Sequence, residues 1–408
     1  MHIGAPEVHT GGGRLTWSVS VRGPADAPER LWFALPEEHA GLVTELADPA
    51  VIGLLVPAMH LGEPLIAEGP VTDELVHAIT HGYQHILEAV IPGLRRVPLQ
   101  IASPVPARDP APGVGTGFSG GIDSFAVLAE HFYQPVAEDL RLTHLTLFNV
   151  GAMKGGEPGR RHFGRVHALL APVAERIGLP FVPIDSNLDD FFGFVGFTQT
   201  HGPRNLSAAS LLQSGIGRFY FASSGPFRAV GVRRAHSTSF SDPISMPLVA
   251  TRRFRPVFHG SEYTRAEKTL VVATIAESHE SLNVCTSFSA DGRNCSRCDK
   301  CLRTQLTLEL TGHLAAYDRA FDLHVYRTVR AAYIDEVAWS RRIYAGEIRE
   351  LAQHTGFPIP TAAAGFARYA LRRAARKAGV IARRFAVGSR RARQSSSPSS
   401  TKRAKSGL

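Results

Sequence analysis

A short glycine- and serine-rich motif between an apolar segment and a helix-like run constrains this chain more than any other feature. Residues 118–124 read Phe-Ser-Gly-Gly-Ile-Asp-Ser. Glycines let backbone N–H groups approach an anion closely, and a helix start adds unpaired donors and a positive dipole. The motif therefore predicts a phosphate cradle, and Asp123 predicts a cation such as Mg²⁺ between its carboxylate and the phosphate. The predicted cradle residues are Ser119, Gly120, Gly121, Asp123 and Ser124.

The motif resembles the pyrophosphate loop of the ATP pyrophosphatase (PP-loop) superfamily, whose pattern is Ser-Gly-Gly-x-Asp-Ser. This resemblance implies cleavage of ATP between its α and β phosphates, with AMP passing to a substrate oxygen that then becomes a leaving group. It also implies ATP and Mg²⁺ as ligands, with Ser119, Asp123 and Ser124 as catalytic residues. The alternative interpretation is a glycine turn between a strand and a helix, with no ligand.

All four cysteines of the chain lie close together, near the end of the predicted nucleotide domain. Two Cys-x2-Cys steps and one upstream cysteine have the spacing of a structural zinc site. An iron–sulfur cluster also needs four thiolates, so this alternative stays open, as does a site without metal. The predicted metal ligands are Cys285, Cys295, Cys298 and Cys301.

The net charge of +9 comes from one end of the chain. Residues 361–408 contain 13 of the 45 Lys and Arg residues and no Asp or Glu, which leaves the remainder at −4. A catalytic domain with a basic face for nucleic acid is therefore not favoured. Arginines opposite a modest apolar face predict that residues 366–385 form a helix on an anionic surface, either a membrane or RNA. The alternative is a solubilising tail, and disorder is predicted beyond Gly388.

No stretch approaches 18 uncharged apolar residues, so we expect no transmembrane segment. The first residues lack a basic segment followed by an apolar one, so we expect no secretory signal and a cytoplasmic location. A length of 408 residues predicts two or three domains.

From Val114 onward the alternation of strand-like and helix-like segments predicts an α/β fold with a doubly wound parallel sheet. Ligands of such sheets lie beyond the carboxyl ends of the strands. We therefore expect three strand-end segments around one crevice, with Asn149 and Asp185 as candidate contacts to adenosine or substrate. These segments are Ser119–Ser124, Asn149–Lys154 and Asp185–Asn187.

The chain before this region predicts a separate α/β module. Residues 14–21 alternate with a period of two and predict a strand, while residues 31–35 and 51–56 are further strand or buried candidates. Thr72 predicts the start of a helix that reaches about Ala89, and Thr264-x-x-Glu267 predicts a capping box. The predicted divisions are an N-terminal α/β module (1–103), a proline-rich linker (104–113), a PP-loop domain (114–310) that includes a cysteine knuckle (285–301), a helical extension (311–360) with a helix at 321–345, and a basic tail (361–408).

The loop and the cysteine cluster together are similar to the 7-cyano-7-deazaguanine synthase family over about residues 114–305. Arg204-Asn205 at a predicted helix start corresponds to an Arg-Asn pair of that family, and Arg265-Ala266-Glu267 is similar to its Lys-Ala-Glu. Arg204 and Lys268 are therefore candidate contacts to phosphate or substrate, and the alternative is that both are surface charges at helix starts. The family's pocket prolines and tyrosines are not recognisable here, and Ser296 stands where a glycine is common. The resemblance therefore implies the ATP chemistry and the metal site, but not the deazaguanine substrate.

The predicted function is an AMP- and pyrophosphate-forming ligase that adenylates a carboxylate or amide-type oxygen of a small molecule, for attack by ammonia or another nucleophile. One alternative is a tRNA-modifying PP-loop enzyme of the thiolase or lysidine type. The other is a non-catalytic interaction protein gated by a nucleotide. The sequence does not predict the substrate or the oligomeric state.

Overall fold

A computed structural model describes residues 1–24, 27–153, 155–285 and 293–375. It has an α/β fold, as predicted, built on a mostly parallel sheet of eleven strands. The strands are β1 (His2–Ile3), β2 (Glu7–Gly11), β3 (Arg14–Arg22), β4 (Arg30–Pro36), β5 (Leu65–Thr72), β6 (Leu99–Val105), β7 (Gly113–Gly117), β8 (His144–Asn149), β9 (Phe181–Ser186), β10 (Ile216–Ala222) and β11 (Arg255–His259).

Twelve α-helices that begin and end within the described residues accompany the sheet, together with short 3-10 and π turns. The helices are α1 (Asp48–Leu61), α2 (Asp73–Ala78), α3 (Gln84–Val90), α4 (Ile122–Leu128), α5 (Gly156–Ile177), α6 (Phe197–Ser210), α7 (Asp242–Ser245), α8 (Arg265–Ala273), α9 (Ala276–Ser281), α10 (Asp299–Leu310), α11 (Leu323–Trp339) and α12 (Ile343–Thr355).

Five neighbouring strands in the order β11-β10-β7-β8-β9 run parallel. Their carboxyl ends therefore meet at one edge, where the loop after β7 carries the glycine motif. The chain passes from β7 outward through β8 and β9, and then returns to the other side of β7 as β10. Loops leave the sheet in opposite directions at such a reversal, which opens a crevice beside β7.

The N-terminal strands extend the same sheet. Strand β4 pairs antiparallel with β9, through Phe33 with Ser186 and Ala34 with Asp185, and β3, β1, β5 and β6 follow beyond it. The described residues divide into two compact units, with the boundary between Tyr326 and Arg327. The predicted linker at 104–113 connects β6 to β7.

Helix α1 contains residues 51–56, for which the sequence predicts a strand or a buried element. The prediction of burial is confirmed, because twelve of the 14 residues of α1 are buried, and the prediction of a strand is wrong. Pro49 in the first turn and Gly62 in the left-handed conformation at the end define a helix. A helix that is buried on all sides lacks a polar face, so its apolar run cannot be distinguished from a strand by periodicity.

Two further helix predictions need correction, and two are confirmed. Helix α6 begins at Phe197, so Arg204 lies inside it and not at its start. The helix predicted over 321–345 is two helices, α11 and α12. The helix after Thr72 is present as α2, a π turn and α3. The capping box before α8 is confirmed, since the Thr264 and Glu267 side chains each bond the other's backbone N–H.

The second compact unit contains most of α11, all of α12 and a helical stretch at residues 362–375. Arg368 and Arg372 of this stretch both pair with Asp335 on α11. Residues 376–408 lie outside the described part, and they include most of the tail predicted to bind an anionic surface and all of the end beyond Gly388. No helix among the described residues is long and apolar enough to cross a membrane.

Candidate functional site

The glycine motif forms a tight turn from the end of β7 into α4, which continues directly into a π turn through Tyr133. Gly120 has φ +72°, and a Cβ there would lie 2.7 Å from Leu170 Cδ2 and 3.2 Å from the Ser281 carbonyl oxygen. The Asn283 N–H donates to the Gly120 carbonyl oxygen at 2.7 Å. The turn is therefore fixed from behind by α5 and by the chain before the cysteine cluster.

Asp123 lies in the first turn of α4 between two cationic side chains of α8. Arg265 Nη2 donates to Asp123 Oδ2 at 2.8 Å, and Lys268 Nζ lies 3.4 Å from Asp123 Oδ1. Lys268 is almost fully buried and also donates to the Ser223 carbonyl oxygen at the end of β10. Burial lowers the pKa of the Lys268 ammonium, an effect that the Asp123 carboxylate opposes. Asp123 thus links α4 to α8, and Lys268 links α8 to the end of β10.

A cavity of about 370 Å³ opens in front of this turn, and we call it the polar cavity because several charged side chains line it. Asp123 is the one acidic residue among its described lining residues, whereas three lining residues are Arg or Lys. The cavity is therefore suited to an anion. Its lining side chains include Ser119, Asp123, Arg265, Lys300 and Arg303.

The two serines of the motif have different surroundings. Ser119 is exposed and borders both the polar cavity and a neighbouring apolar one. Ser124 is buried, and its Oγ donates to the Gly121 carbonyl oxygen at 3.0 Å. In this structure Ser124 therefore stabilises the turn and lines neither cavity, while Ser119 is available to a ligand.

The apolar cavity has a volume of about 330 Å³ and lies over the ends of β7, β8 and β10. Ala152 and Met153, in the loop after β8, line both cavities together with Ser119. The two cavities are thus neighbours on either side of the same loops. Most of the apolar walls are aromatic, but two polar residues, the buried Asp242 and the partly buried His201, also line this cavity.

Asn149 and Asp185, predicted to contact a ligand, lie side by side at the ends of β8 and β9. Asn149 Nδ2 donates to Asp185 Oδ1 at 2.7 Å, and the other carboxylate oxygen lies 3.2 Å from Arg14 Nη2 of strand β3. Neither residue lines the polar or the apolar cavity. In this structure they hold the N-terminal strands to the parallel sheet, and their contact with a ligand stays a prediction.

Arg204 is 1% exposed and is held inside the protein. Its guanidinium pairs with Asp189, donates to the Val150 carbonyl oxygen at 3.2 Å and lies 3.8 Å from the centre of the Phe192 ring. Gly151, with φ +112°, leaves room for this pair. Arg204 lines neither cavity, so in this structure it supports the loop after β8, and its predicted contact with a nucleotide remains untested.

The four cysteines converge as predicted, with all their sulfur atoms within 4.8 Å of one another, and they could hold a metal ion such as zinc. The hydrogen bond from Cys298 and burial together raise the pKa of the Cys301 thiol well above its ordinary value. Four sulfurs so close to one another cannot all ionise without a cation between them. Cys285 also lines the polar cavity, so the cluster forms part of its wall.

Two polar residues shape the cysteine cluster. Asn294 Oδ1 accepts from the backbone N–H groups of Val284 and Cys285, at 2.9 and 3.1 Å. Ser296 has φ +57°, a left-handed conformation that favours glycine, so the serine backbone is strained at this position. Ser296 Oγ accepts from the Asp322 N–H at 2.8 Å, a bond that a glycine would lack.

Sequence reasoning did not assign roles to Lys300, Arg303 or the His201–Asp242 pair. Lys300 lies between Cys298 and Cys301, and Arg303 follows Cys301 on α10, and no linear pattern around either residue indicates that its side chain lines a cavity. His201 and Asp242 lie on different helices, and no linear spacing connects them. No family model, curated protein or solved structure matched the chain.

Proposed function

We propose that this protein is an ATP-dependent enzyme that cleaves ATP between the α and β phosphates, transfers AMP to an oxygen of a small molecule and releases pyrophosphate. The observation that carries the proposal is the pairing of the Ser-Gly-Gly-x-Asp-Ser turn with a cationic cavity. The turn stands at the carboxyl end of β7, and three of the four Asp, Lys and Arg side chains that line the cavity are positive.

Phosphate binding is assigned to the turn and to the cationic wall. The N–H groups at the start of α4 supply donors and the positive end of a helix dipole. Arg265 and Arg303 offer planar guanidinium groups that match phosphate oxygens, and Lys300 adds a further positive charge. Because the oxygens of departing pyrophosphate gain negative charge, fixed cations on this wall lower the barrier to its release.

Asp123 has a positioning role in this proposal. It holds Arg265 at 2.8 Å and lies close to the buried Lys268 ammonium, so it fixes the direction of the cations that meet the phosphates. Both of its oxygens already face cations. A Mg²⁺ ion that arrives with ATP would therefore reach Asp123 only if Arg265 moved from the carboxylate to a phosphate. The ion would then take the place that Arg265 occupies beside Asp123 in this structure.

The acceptor of AMP would occupy the apolar cavity, which meets the polar cavity at Ser119. A carboxylate or amide-type oxygen placed at this junction would lie next to the bound polyphosphate, and the walls would exclude competing water. Ammonia or another nucleophile would then displace AMP. This sequence of steps gives a ligase that forms C–N bonds, similar in outline to 7-cyano-7-deazaguanine synthase.

Zinc is the metal that best fits the cysteine cluster. At a Zn–S distance of about 2.3 Å, a tetrahedron places its sulfur atoms about 3.8 Å apart. The closest sulfur pairs here are separated by 3.5, 3.9 and 4.0 Å. In an iron–sulfur cluster the thiolates bind different irons and must lie further apart, so the observed spacing favours one ion. Its role would be structural, since four protein ligands leave no open position.

Equilibrium binding tests the phosphate assignment. ATP should bind to the purified protein, and both Arg265→Ala and Arg303→Ala should weaken that binding by about tenfold or more, since each removes a charged hydrogen bond. Arg141→Ala is a matched control, because this arginine contacts the ring of Phe132 and lines neither cavity. Equal ATP affinity in all four proteins would refute the assignment of the polar cavity.

A further inference from the structure

The helical stretch at residues 362–375, which we call the tail helix, packs one face closely against helix α11. Gly365 is buried in this contact. A Cβ on Gly365 would lie 2.7 Å from both Ala338 Cβ and the Asp335 carbonyl oxygen, so only a glycine allows the two helices to approach this far. The contact therefore fixes which face of the tail helix meets the protein.

Two arginines of the tail helix are held on this same face by one buried carboxylate. Asp335 is 4% exposed, and its Oδ1 accepts a hydrogen bond from Arg368 Nε at 2.8 Å. Arg372, one turn later, donates to Asp335 Oδ2. Residues 365, 368 and 372 follow one another at helical spacings of three and four and so share a face. These two arginines are therefore directed at the protein.

The opposite face of the tail helix is apolar and exposed to solvent. Leu371 is 70% exposed, and Phe366 is 53% exposed although its ring also contacts the Trp339 ring. The exposed alanines between them are Ala363, Ala367, Ala370 and Ala374. A surface helix usually turns its apolar face to the protein and its charges to water. The tail helix does the reverse, which indicates a surface that a partner or a membrane covers.

Positive charge accompanies this apolar face along the chain. Residues 361–408 contain 13 Lys and Arg residues and no Asp or Glu, and ten of the 13 follow residue 375. Such a segment is attracted to a polyanionic partner. The charge by itself fits the headgroups of an anionic membrane as well as the phosphates of a nucleic acid.

The described side chains distinguish these two partners. A nucleic acid binds through contacts of exposed cations with its phosphates and through stacking of its bases on aromatic rings. Asp335 already pairs with Arg368 and Arg372, and the exposed face of the tail helix is mainly aliphatic. Aliphatic side chains gain free energy when they leave water for the boundary between headgroups and acyl chains. The apolar face therefore favours a membrane.

We propose that the tail helix docks on an anionic lipid membrane, lies in the plane of its surface and inserts Leu371 and Phe366 between the headgroups. The basic residues around the helix bind those headgroups. The pairing of Asp335 with Arg368 and Arg372 presents the apolar face before binding, so little ordering is needed on contact. The proposal does not depend on the ATP chemistry, because every residue that carries it lies in the second compact unit.

Binding of the full chain to lipid vesicles tests the proposal. Cosedimentation compares vesicles of phosphatidylcholine alone with vesicles of equal parts phosphatidylcholine and phosphatidylglycerol. We expect binding that is about tenfold or more tighter to the anionic vesicles and that weakens as salt is added, because the headgroup contacts are electrostatic.

One variant and one control isolate the apolar face. Leu371→Gln keeps the charge and the helix propensity, and it should fold because Leu371 is exposed. It should weaken binding to the anionic vesicles by about tenfold, the effect of removing one buried leucine. Val8→Gln, at an exposed apolar residue of strand β2, is the matched control and should bind as the unsubstituted protein does.

Tryptophan fluorescence measures insertion directly. In Leu371→Trp the emission should shift to the blue with anionic vesicles and should be quenched by lipids with brominated acyl chains. The unsubstituted protein, with its three tryptophans, gives the baseline.

Four results would overturn the proposal. The first is equal vesicle binding by Leu371→Gln and the unsubstituted protein, and the second is a Leu371→Trp emission that vesicles do not change. The third is binding of single-stranded RNA without vesicle binding, which would assign the tail to a nucleic acid. The fourth is a dimer that Leu371→Gln abolishes, without vesicle binding, which would assign the face to a second copy of the chain. Vesicle binding by a protein that does not cleave ATP would support this inference and reject only the proposed ATP chemistry.

Discussion

Asp123 and Arg265 join two helices that are 142 positions apart in the chain, through a hydrogen bond of 2.8 Å between Nη2 and Oδ2. The bond brings the acidic residue of the glycine motif against the first residue of α8, whose capping box fixes where that helix begins. The cationic wall of the polar cavity therefore depends on the motif itself.

Asp123→Asn should reduce pyrophosphate release from ATP by about 100-fold, the usual effect of losing one preorganised electrostatic contact. The amide cannot hold the Arg265 and Lys268 cations as a carboxylate does, but it keeps the shape of the side chain. A coupled pyrophosphate assay measures the rate, and Asp109→Asn, on the exposed connection before β7, is the control. Full turnover by Asp123→Asn would show that Asp123 does not contribute to pyrophosphate release.

The two glycines of the motif should respond differently to substitution. Gly120→Ala should lower the free energy of unfolding by about 1–3 kcal/mol, because φ is +72° and the new Cβ would meet Leu170 and the Ser281 carbonyl. Gly121→Ala should fold normally, since its nearest neighbours lie 3.6 and 3.7 Å away. Gly121→Val should fold but weaken ATP binding, because its bulk would enter the cavity.

Chemical denaturation and calorimetric ATP titration separate these effects. If Gly120→Ala is as stable as the unsubstituted protein, the turn does not have the described geometry. If Gly121→Val binds ATP with unchanged affinity, the phosphates do not approach the backbone at this residue.

The parts of this fold that depend on local sequence were predictable. The turn after β7, the capping box at Thr264 and Glu267 and the convergence of four closely spaced cysteines each require only neighbouring residues. Their physical causes are short-range: glycine geometry, helix-end hydrogen bonds and thiolate spacing.

The parts that depend on distant contacts were not predictable. Strand β4 joins β9 through a pairing of residues about 150 positions apart, for which a single sequence carries no local signal. Arg204 appears in the sequence as a charged residue near a helix start, but Asp189 and the Phe192 ring hold it in the interior. The Asp242–His201 contact also arises only once α6 and α7 are packed together.

The purified protein should contain one zinc ion per chain, and Cys298→Ser should reduce this content. The chain has four cysteines, all in the cluster, so a thiol reagent counts the ligands directly. We expect few reactive thiols in the folded protein and four after a chelator removes the metal. Four reactive thiols with no bound metal would reject the site, and bound iron would favour a cluster instead.

The stabilising effect of His201 should decrease at high pH. Burial lowers its pKa, but the charge and hydrogen bond of Asp242 and the bond to the Thr198 carbonyl outweigh burial and raise it overall. A raised pKa gives stability that is complete below the unfolded value of about 6.5 and is lost as pH rises through the folded value. Besides Asp242, the charged group that faces His201 is Arg204.

Denaturation of the unsubstituted protein and of His201→Gln at pH 6 and pH 9 tests this sign. The difference in unfolding free energy should be larger at pH 6. An equal or larger difference at pH 9 would show that the imidazolium–carboxylate pair is absent.

Asp48 should contribute to stability by joining the N-terminal helix α1 to the rest of the fold. It is 2% exposed and accepts from Thr72 N and Oγ1 at 2.8 and 2.6 Å and from Gln213 Nε2 at 3.2 Å. Asp48→Ala leaves these donors buried and should cost at least about 2 kcal/mol of unfolding free energy. Exposed Glu37→Ala is the control, and equal stability of the two variants would contradict this role.

The identity of the products tests the central claim most directly. Phosphorus NMR of ATP incubated with the protein, ammonia and a panel of small carboxylates separates AMP and pyrophosphate from ADP and phosphate. We predict AMP and pyrophosphate in equal amounts, with formation of both lost in Asp123→Asn. ADP and phosphate as the products, or failure of the protein to bind ATP at millimolar concentration, would contradict it.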